Sequence, residues 1–186
     1  RIGALVTHSE LIESGDVQER YPILVEAGKT IAGPPVRNAA SVAGNLCHAA
    51  PSADFAPPLL ALDASVVLFG PNGERVVPLD EFFQGPNLTL LAVDEILTEI
   101  RIPAPAKGSR ANYQKLGIRS SMEIAMVGVA ASMTLENETC SKVRIALGAV
   151  APKPFLANSA ANVVEGNSAS VEVFARAGEA AAEESK

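Results

Sequence analysis

The sequence of 186 residues contains no tryptophan, and its aromatic residues are limited to six phenylalanines and two tyrosines. Its 15 lysines and arginines are outnumbered by 21 aspartates and glutamates. It therefore lacks both the stacking side chains and the basic face that nucleic-acid binding requires. It also has no apolar run long enough to cross a bilayer. We expect no nucleic-acid partner and no membrane span.

Side chains that hold metal ions are equally scarce. Cys47 and Cys140 are far apart, and the histidines, His8 and His48, add no second ligand cluster. No CxxC or zinc-finger spacing is present, so we predict neither a protein-ligated metal site nor an iron-sulfur cluster. The sequence starts at Arg1 without a signal-peptide pattern, which favours a cytoplasmic protein.

What the sequence does have is 48% hydrophobic residues, enough to build the core of one or two domains. Helices are predicted over residues 9–14 and 22–30, the second closed by Gly28. Residues 64–69 and 74–78 predict a β-hairpin around the turn 70–73, and residues 95–102 alternate like a half-buried strand. This first part of the chain predicts an α+β fold.

Residues 103–109 have the composition of a linker, with two prolines and a glycine. Beyond them, strands are predicted over residues 111–116, 125–135 and 142–150, with a polar turn at 136–139. The tail from 170 to 185 is rich in alanine and glutamate and predicts a helix. We therefore divide the chain into residues 1–104 and 105–186.

Residues 41–54 form the most informative segment, because they place a glycine, an amide and a carboxylate within one short span. Gly44 permits a tight turn or a close approach to a bound group, and successive N–H groups in such a turn can bind an anion. Ser41 and Asn45 can meet phosphate or sugar oxygens, and Asp54 can accept from a diol. The alternative is an ordinary loop in which Asp54 caps a helix over 55–63.

Four stretches of the chain, residues 36–68, 82–103, 113–133 and 143–154, resemble the FAD-binding medium subunit of the molybdenum hydroxylases, in matching order and spacing. This family includes the carbon monoxide dehydrogenase medium subunit and the flavin part of xanthine dehydrogenase. The resemblance implies the second FAD-binding subdomain of the p-cresol methylhydroxylase/vanillyl-alcohol oxidase type. A small α/β C-terminal domain with a three-stranded sheet is expected to follow it.

The same resemblance implies which residues hold FAD. The family carries a TIGGN-like string with an aspartate nine positions on, which corresponds here to SVAGN and Asp54; Ala43 replaces a glycine. Leu97 is expected at the adenine end and Lys115, in YQKLGIR, at the polar edge of the flavin. The residues implied as cofactor contacts are Ile31, Ser41, Val42, Ala43, Gly44, Asn45, Asp54, Leu97 and Lys115. Ile31 and Leu97 have the alternative of plain core positions, and Lys115 that of a solvated lysine; no catalytic residue is expected.

The family implies an electron-transfer role. A molybdopterin large subunit oxidises the substrate, an iron-sulfur small subunit carries the electrons, and FAD passes them to an external acceptor. Family members begin with a further strand and an AGGT-like turn, so we expect this chain to be a fragment that lacks the first FAD subdomain and is inactive alone. The alternative function is a flavin-free interaction or scaffold module of the same fold.

Overall fold

A computed structural model describes residues 1–119 and 122–185 of the protein. None of the helices within these ranges is long and apolar enough to cross a membrane. The helices of the described ranges are α1 (His8–Glu13), α2 (Gly15–Arg20), α3 (Pro22–Thr30), α4 (Pro34–Arg37), α5 (Val42–His48), α6 (Ala56–Ala61), α7 (Leu79–Phe82), α8 (Asn158–Val164) and α9 (Val171–Glu184). The strands are β1 (Ile2–Gly3), β2 (Ser65–Gly70), β3 (Gly73–Pro78), β4 (Phe83–Gly85), β5 (Leu88–Thr89), β6 (Ile96–Arg101), β7 (Ser109–Leu116), β8 (Val127–Glu136), β9 (Thr139–Gly148) and β10 (Phe155–Leu156).

The first unit, residues 1–104, contains an antiparallel sheet in the order β1-β6-β2-β3. Its central strand β2 carries three consecutive buried residues, Val66, Val67 and Leu68, as expected for a strand covered on both faces. The predicted hairpin is confirmed: β2 and β3 pair from Ser65 and Pro78 inward to Gly70 and Gly73. The predicted strand over 95–102 is β6.

Helix α3 packs its apolar face into the core of this unit. Pro22 occupies the first turn, where its missing N–H costs nothing, and Ile23, Leu24 and Ala27 are fully buried. The helix runs on to Thr30, so Gly28 does not close it as predicted. A Cβ at Gly28 would lie 2.8 Å from Cγ1 of Ile12, so the glycine instead permits close packing of α3 on the α1 region.

The second unit, residues 105–186, contains a sheet in the order β10-β9-β8-β7 and the helices α8 and α9. It contains the three long strands that the resemblance implies, plus the two-residue strand β10. Strands β8 and β9 are joined by Asn137 and Glu138, both with positive φ, 49° and 67°, as a two-residue hairpin turn requires. The predicted turn over residues 136–139 therefore lies where expected.

The two units share one apolar core. Helices α3 and α6 of the first unit pack against strands of the second sheet, and Tyr113, Ala130 and Ala146 belong to the main buried cluster. The carboxyl end of α6 is also bonded across this junction. Ser132 Oγ donates to the carbonyl of Ala61 (2.6 Å), and Arg144 Nε donates to the carbonyl of Leu60 (3.0 Å). The Leu60 carbonyl also accepts the Asp63 N–H (3.1 Å), so the second unit adds a bond to it and supplies a donor to Ala61 at the end of the helix.

Candidate functional site

The segment SVAGN forms the start of helix α5 and is not a glycine turn. Ser41 is its N-cap, and its Oγ accepts a hydrogen bond from the N–H of Gly44 (3.0 Å). A Cβ at Gly44 would lie 2.9 Å from Ser41 Oγ. The prediction of a turn was therefore wrong, and the glycine gives the capping hydroxyl its room.

Three backbone amides of this segment, those of Val42, Gly44 and Asn45, are occupied within the protein. The Val42 N–H donates to the carbonyl of Val6 (3.0 Å), and the Asn45 N–H donates to the carbonyl of Ser41 (3.1 Å). Together with the capped Gly44 amide, these bonds take up three of the amides from which an anion-binding turn was predicted. The side chains are better placed. Ser41 Oγ already accepts one bond and keeps its own proton to donate, and Asn45 Oδ1 is buried without a hydrogen-bond partner among the described residues.

Asp54 is buried and joins the two units. Its Oδ1 accepts from the hydroxyl of Tyr113 (2.9 Å), and its Oδ2 accepts from Lys115 Nζ (3.0 Å). Both partners belong to β7 of the second sheet. Helix α6 begins at Ala56 with Phe55 as its N-cap and no side-chain cap bond, so the alternative of Asp54 as a helix cap was wrong.

Lys115 is not a solvated surface lysine. Only 9% of its side chain is exposed, and besides Asp54 its Nζ donates to the carbonyls of Glu123 (2.8 Å) and Thr30 (3.4 Å). These three acceptors match the three donors of an ammonium group. A cavity of about 360 Å³ lies beside it. Its lining residues are Lys29, Thr30, Ala32, Lys115, Leu116, Gly117, Arg119, Met122 and Glu123. The lining carries three cationic side chains against one carboxylate, which suits an anionic ligand.

Tyr113 is a site residue that sequence reasoning missed. Burial, together with the adjacent carboxylate of Asp54, raises the pKa of its phenol, so the hydroxyl stays protonated and donates. Space for the ring comes from Gly128 on the paired strand β8, where a Cβ would lie 2.9 Å from Tyr113 Oη. The available signal was the spacing: Tyr113 and Lys115 are two residues apart on one strand and therefore share a face.

Two other predicted contacts lie in the apolar core. Ile31 follows the end of α3 and is buried, and its carbonyl accepts from Arg37 (3.0 Å). Leu97 is buried in β6 opposite Leu68. Both belong to the main buried cluster, and their contact with a cofactor stays a prediction. Within SVAGN, Val42 and Ala43 are likewise buried, whereas Gly44 is exposed.

The two units correspond to two known sequence families. The model of the FAD binding domain in molybdopterin dehydrogenase matches residues 1–105. The chain belongs to this family. The model of the CO dehydrogenase flavoprotein C-terminal domain matches residues 111–186. FAD is the cofactor of the family, and the expected fold, two flavoprotein domains of mixed α and β structure, is confirmed.

Relatives with established names carry the same assignment. The carbon monoxide dehydrogenase medium chain of Hydrogenophaga pseudoflava is 44% identical over 151 residues, which cover 81% of this chain and 52% of that protein. The putative xanthine dehydrogenase FAD-binding subunit of Escherichia coli is 39% identical over 155 residues, which cover 83% of this chain and 53% of that protein. The chain thus spans about half the length of these relatives.

Solved structures agree with the fold. A carbon monoxide dehydrogenase from Hydrogenophaga pseudoflava that lacks the Mo-pyranopterin moiety of its molybdenum cofactor superposes with a TM-score of 0.95 at 39% identity. The match covers 98% of this chain and 63% of that one. The fold of the FAD-binding family is therefore present along almost the whole chain.

Proposed function

We propose that this chain is the FAD-binding part of a medium subunit of a molybdenum hydroxylase, in which FAD takes electrons from iron-sulfur clusters and passes them to an external acceptor. The observation that carries the proposal is Oδ1 of Asn45, which is buried and has no hydrogen-bond partner among the described residues; it lies at the start of α5 with the capping Ser41 and the exposed Gly44. A buried amide oxygen costs stability unless a donor reaches it. FAD offers such donors in its ribityl and ribose hydroxyls.

The other side chains suit the remaining parts of the cofactor. The free proton of Ser41 Oγ can be donated to a phosphate oxygen, and the exposed Gly44 lets a bound group approach the first turn of α5. Lys115, which is paired with Asp54, lines the cavity together with the cationic side chains of Lys29 and Arg119. When bound, FAD supplies the ability to accept and release electrons, and a neighbouring lysine favours negative charge on its ring. The chain itself binds FAD and orients it.

The wider assembly belongs to the same proposal. Named relatives are medium chains of molybdenum enzymes, which supports partners for this chain in the form of an iron-sulfur small subunit and a molybdopterin large subunit. We propose a functional boundary at residue 105, between the flavin subdomain 1–104 and the C-terminal domain 105–186. We place the protein in the cytoplasm, where reducing conditions suit the free thiols of Cys47 and Cys140.

The test is FAD binding by the complete encoded polypeptide. We expect a yellow protein with flavin absorbance, and we expect Asn45→Ala to weaken FAD binding about tenfold, the value of one hydrogen bond to the ligand. Because Asn45 Oδ1 has no partner in the described chain, this variant should keep its thermal stability. Asn158→Ala, an exposed amide at the start of α8, is the control and should bind normally.

A colourless complete polypeptide that takes up no added FAD would refute the proposal. That result would favour the alternative of a flavin-free scaffold module. Normal FAD binding by Asn45→Ala would instead keep FAD as the cofactor and remove Asn45 from its site.

A further inference from the structure

His8 contacts the start of α5. It is the first residue of α1 and only 2% exposed. The segment around it is paired with the residues that lead into α5. The His8 N–H donates to the carbonyl of Ala40, and the Val6 carbonyl accepts from Val42, both at 3.0 Å. Thr7 and Ser41 form an antiparallel bridge between these two bonds.

The imidazole adds a side-chain bond to this pairing. Its Nε2 lies 3.1 Å from the carbonyl oxygen of Ser41. A carbonyl only accepts, so Nε2 carries the proton and the ring is the Nε2–H tautomer. The same carbonyl also accepts the N–H of Asn45, at 3.1 Å. The Ser41 carbonyl oxygen therefore accepts two hydrogen bonds, one from His8 and one from the first turn of α5.

The other side of the ring reaches the Asp54 segment. The imidazole packs edge-to-face on Phe55, with ring centroids 4.9 Å apart at 72°. Phe55 is fully buried and directly follows Asp54. One buried side chain thus touches both segments that carry the proposed FAD contacts, Ser41 to Asn45 and Asp54.

An apolar side chain at position 8 would fill the same space without burying a polar atom that lacks a hydrogen-bond partner. His8 Nδ1 is buried and has no hydrogen-bond partner among the described residues, which penalises the imidazole. Burial lowers the pKa of His8 below its ordinary 6.5, against the opposing effect of the bond to Ser41, which favours the neutral imidazole at pH 7. The feature that a leucine or methionine could not reproduce is the directed bond from Nε2 to Ser41.

We propose that His8 is a positioning residue for FAD, holding the start of α5 and the Asp54 segment in the arrangement that binds the cofactor. The inference rests on the proposed function of this site. Without the Nε2 bond, the start of α5 spends less time in the binding arrangement. The apparent affinity for FAD is then reduced in proportion to the fraction of molecules that still adopt the binding arrangement.

The experiment compares three variants in the complete polypeptide. His8→Met keeps the bulk and removes the donor, and we expect FAD binding about tenfold weaker. His8→Gln can place an amide N–H near the Nε2 position, and we expect an affinity within about threefold of the wild type. Leu11→Ala is the stability control, since Leu11 is buried on the same helix α1. It should lower the melting temperature of the FAD-free protein and leave the affinity unchanged.

Hydrogen exchange of the FAD-free protein provides a readout that needs no cofactor. We expect amides of residues 42–45 to exchange about tenfold faster in His8→Met, while those of α3 keep their protection. Wild-type affinity in His8→Met, or an equal loss in Leu11→Ala, would overturn the positioning role. Failure of the wild type itself to bind FAD would refute the proposed function, and unchanged exchange in His8→Met would separately refute the bond's effect on α5.

Discussion

The ion pair between Asp54 and Lys115 should act as a buried, coupled unit. Their side chains are only 10% and 9% exposed, and their charged atoms are 3.0 Å apart. The pair links the segment before α6 to strand β7, so its loss affects the junction of the two units. We predict that Lys115→Met and Asp54→Asn are each strongly destabilising, and that the double variant is destabilised by less than their sum.

The magnitudes follow from what each change leaves behind. In Lys115→Met the carboxylate of Asp54 keeps the Tyr113 hydroxyl but no cation. In Asp54→Asn the ammonium keeps the carbonyls of Glu123 and Thr30 but no anion. Removing one partner of a buried pair costs about 3 kcal/mol. The double variant buries no unpaired charge, so we expect a coupling energy of about 1.5 kcal/mol or more.

The assay is urea unfolding of the complete polypeptide followed by far-UV circular dichroism, which reports the loss of helices and sheets. The pair of Arg75 and Glu95, at 2.7 Å, serves as the control, because the Arg75 side chain is 41% exposed although that of Glu95 is 13% exposed. Its coupling should be smaller than that of Asp54 and Lys115 despite the shorter distance, because water reaches the Arg75 guanidinium and screens its charge. Additivity of Asp54→Asn and Lys115→Met within about 0.5 kcal/mol would refute the reasoning, since it would show that water screens the pair.

Three further predictions concern single residues. Tyr113→Phe should destabilise by about 1.5 kcal/mol in urea unfolding, because the hydroxyl donates to a charged acceptor. Gly128→Ala should be destabilising in the wild type and less so in the Tyr113→Phe background, which removes the oxygen 2.9 Å from the new Cβ; equal costs in both would contradict the contact. The hydrogen bonds from Arg75 lower the pKa of Glu95 to about 2, below its ordinary 4.5, so its contribution to stability is complete above pH 4.5 and is lost as the pH falls towards 2. In acid titrations monitored by circular dichroism, Glu95→Gln should lack that part of the pH dependence; an unchanged profile would show that the pair does not titrate with folding.

Local sequence signals predicted the longer strands and the helices α1, α3 and α9, but not α2, α4, α5 or α8. Helix α3 and the hairpin of β2 and β3 follow from a first-turn proline, β-branched runs and a glycine turn. The start of α5 was misread because Gly44 suggested a turn, although a serine three residues before it is also a helix N-cap signal. A glycine alone does not distinguish these two structures, since it permits both.

The contacts that define the site are long-range and could not be predicted from local patterns. Asp54 bonds residues 59 and 61 positions away, and His8 bonds a carbonyl 33 positions away. The resemblance identified Asp54 and Lys115 separately, but it did not predict that they pair with each other. Only the packing of α3 and α6 on the second sheet brings them together.

This pairing changes how the candidate site can be tested. Asp54 carries part of the junction between the two units, so a substitution there lowers stability and FAD affinity together and cannot assign either effect. Asn45 is different, because its side-chain oxygen bonds no described residue and its loss removes no contact that holds the fold. A fall in FAD affinity at constant stability is therefore informative at Asn45, whereas at Asp54 the same fall is informative only after the coupling with Lys115 has been measured.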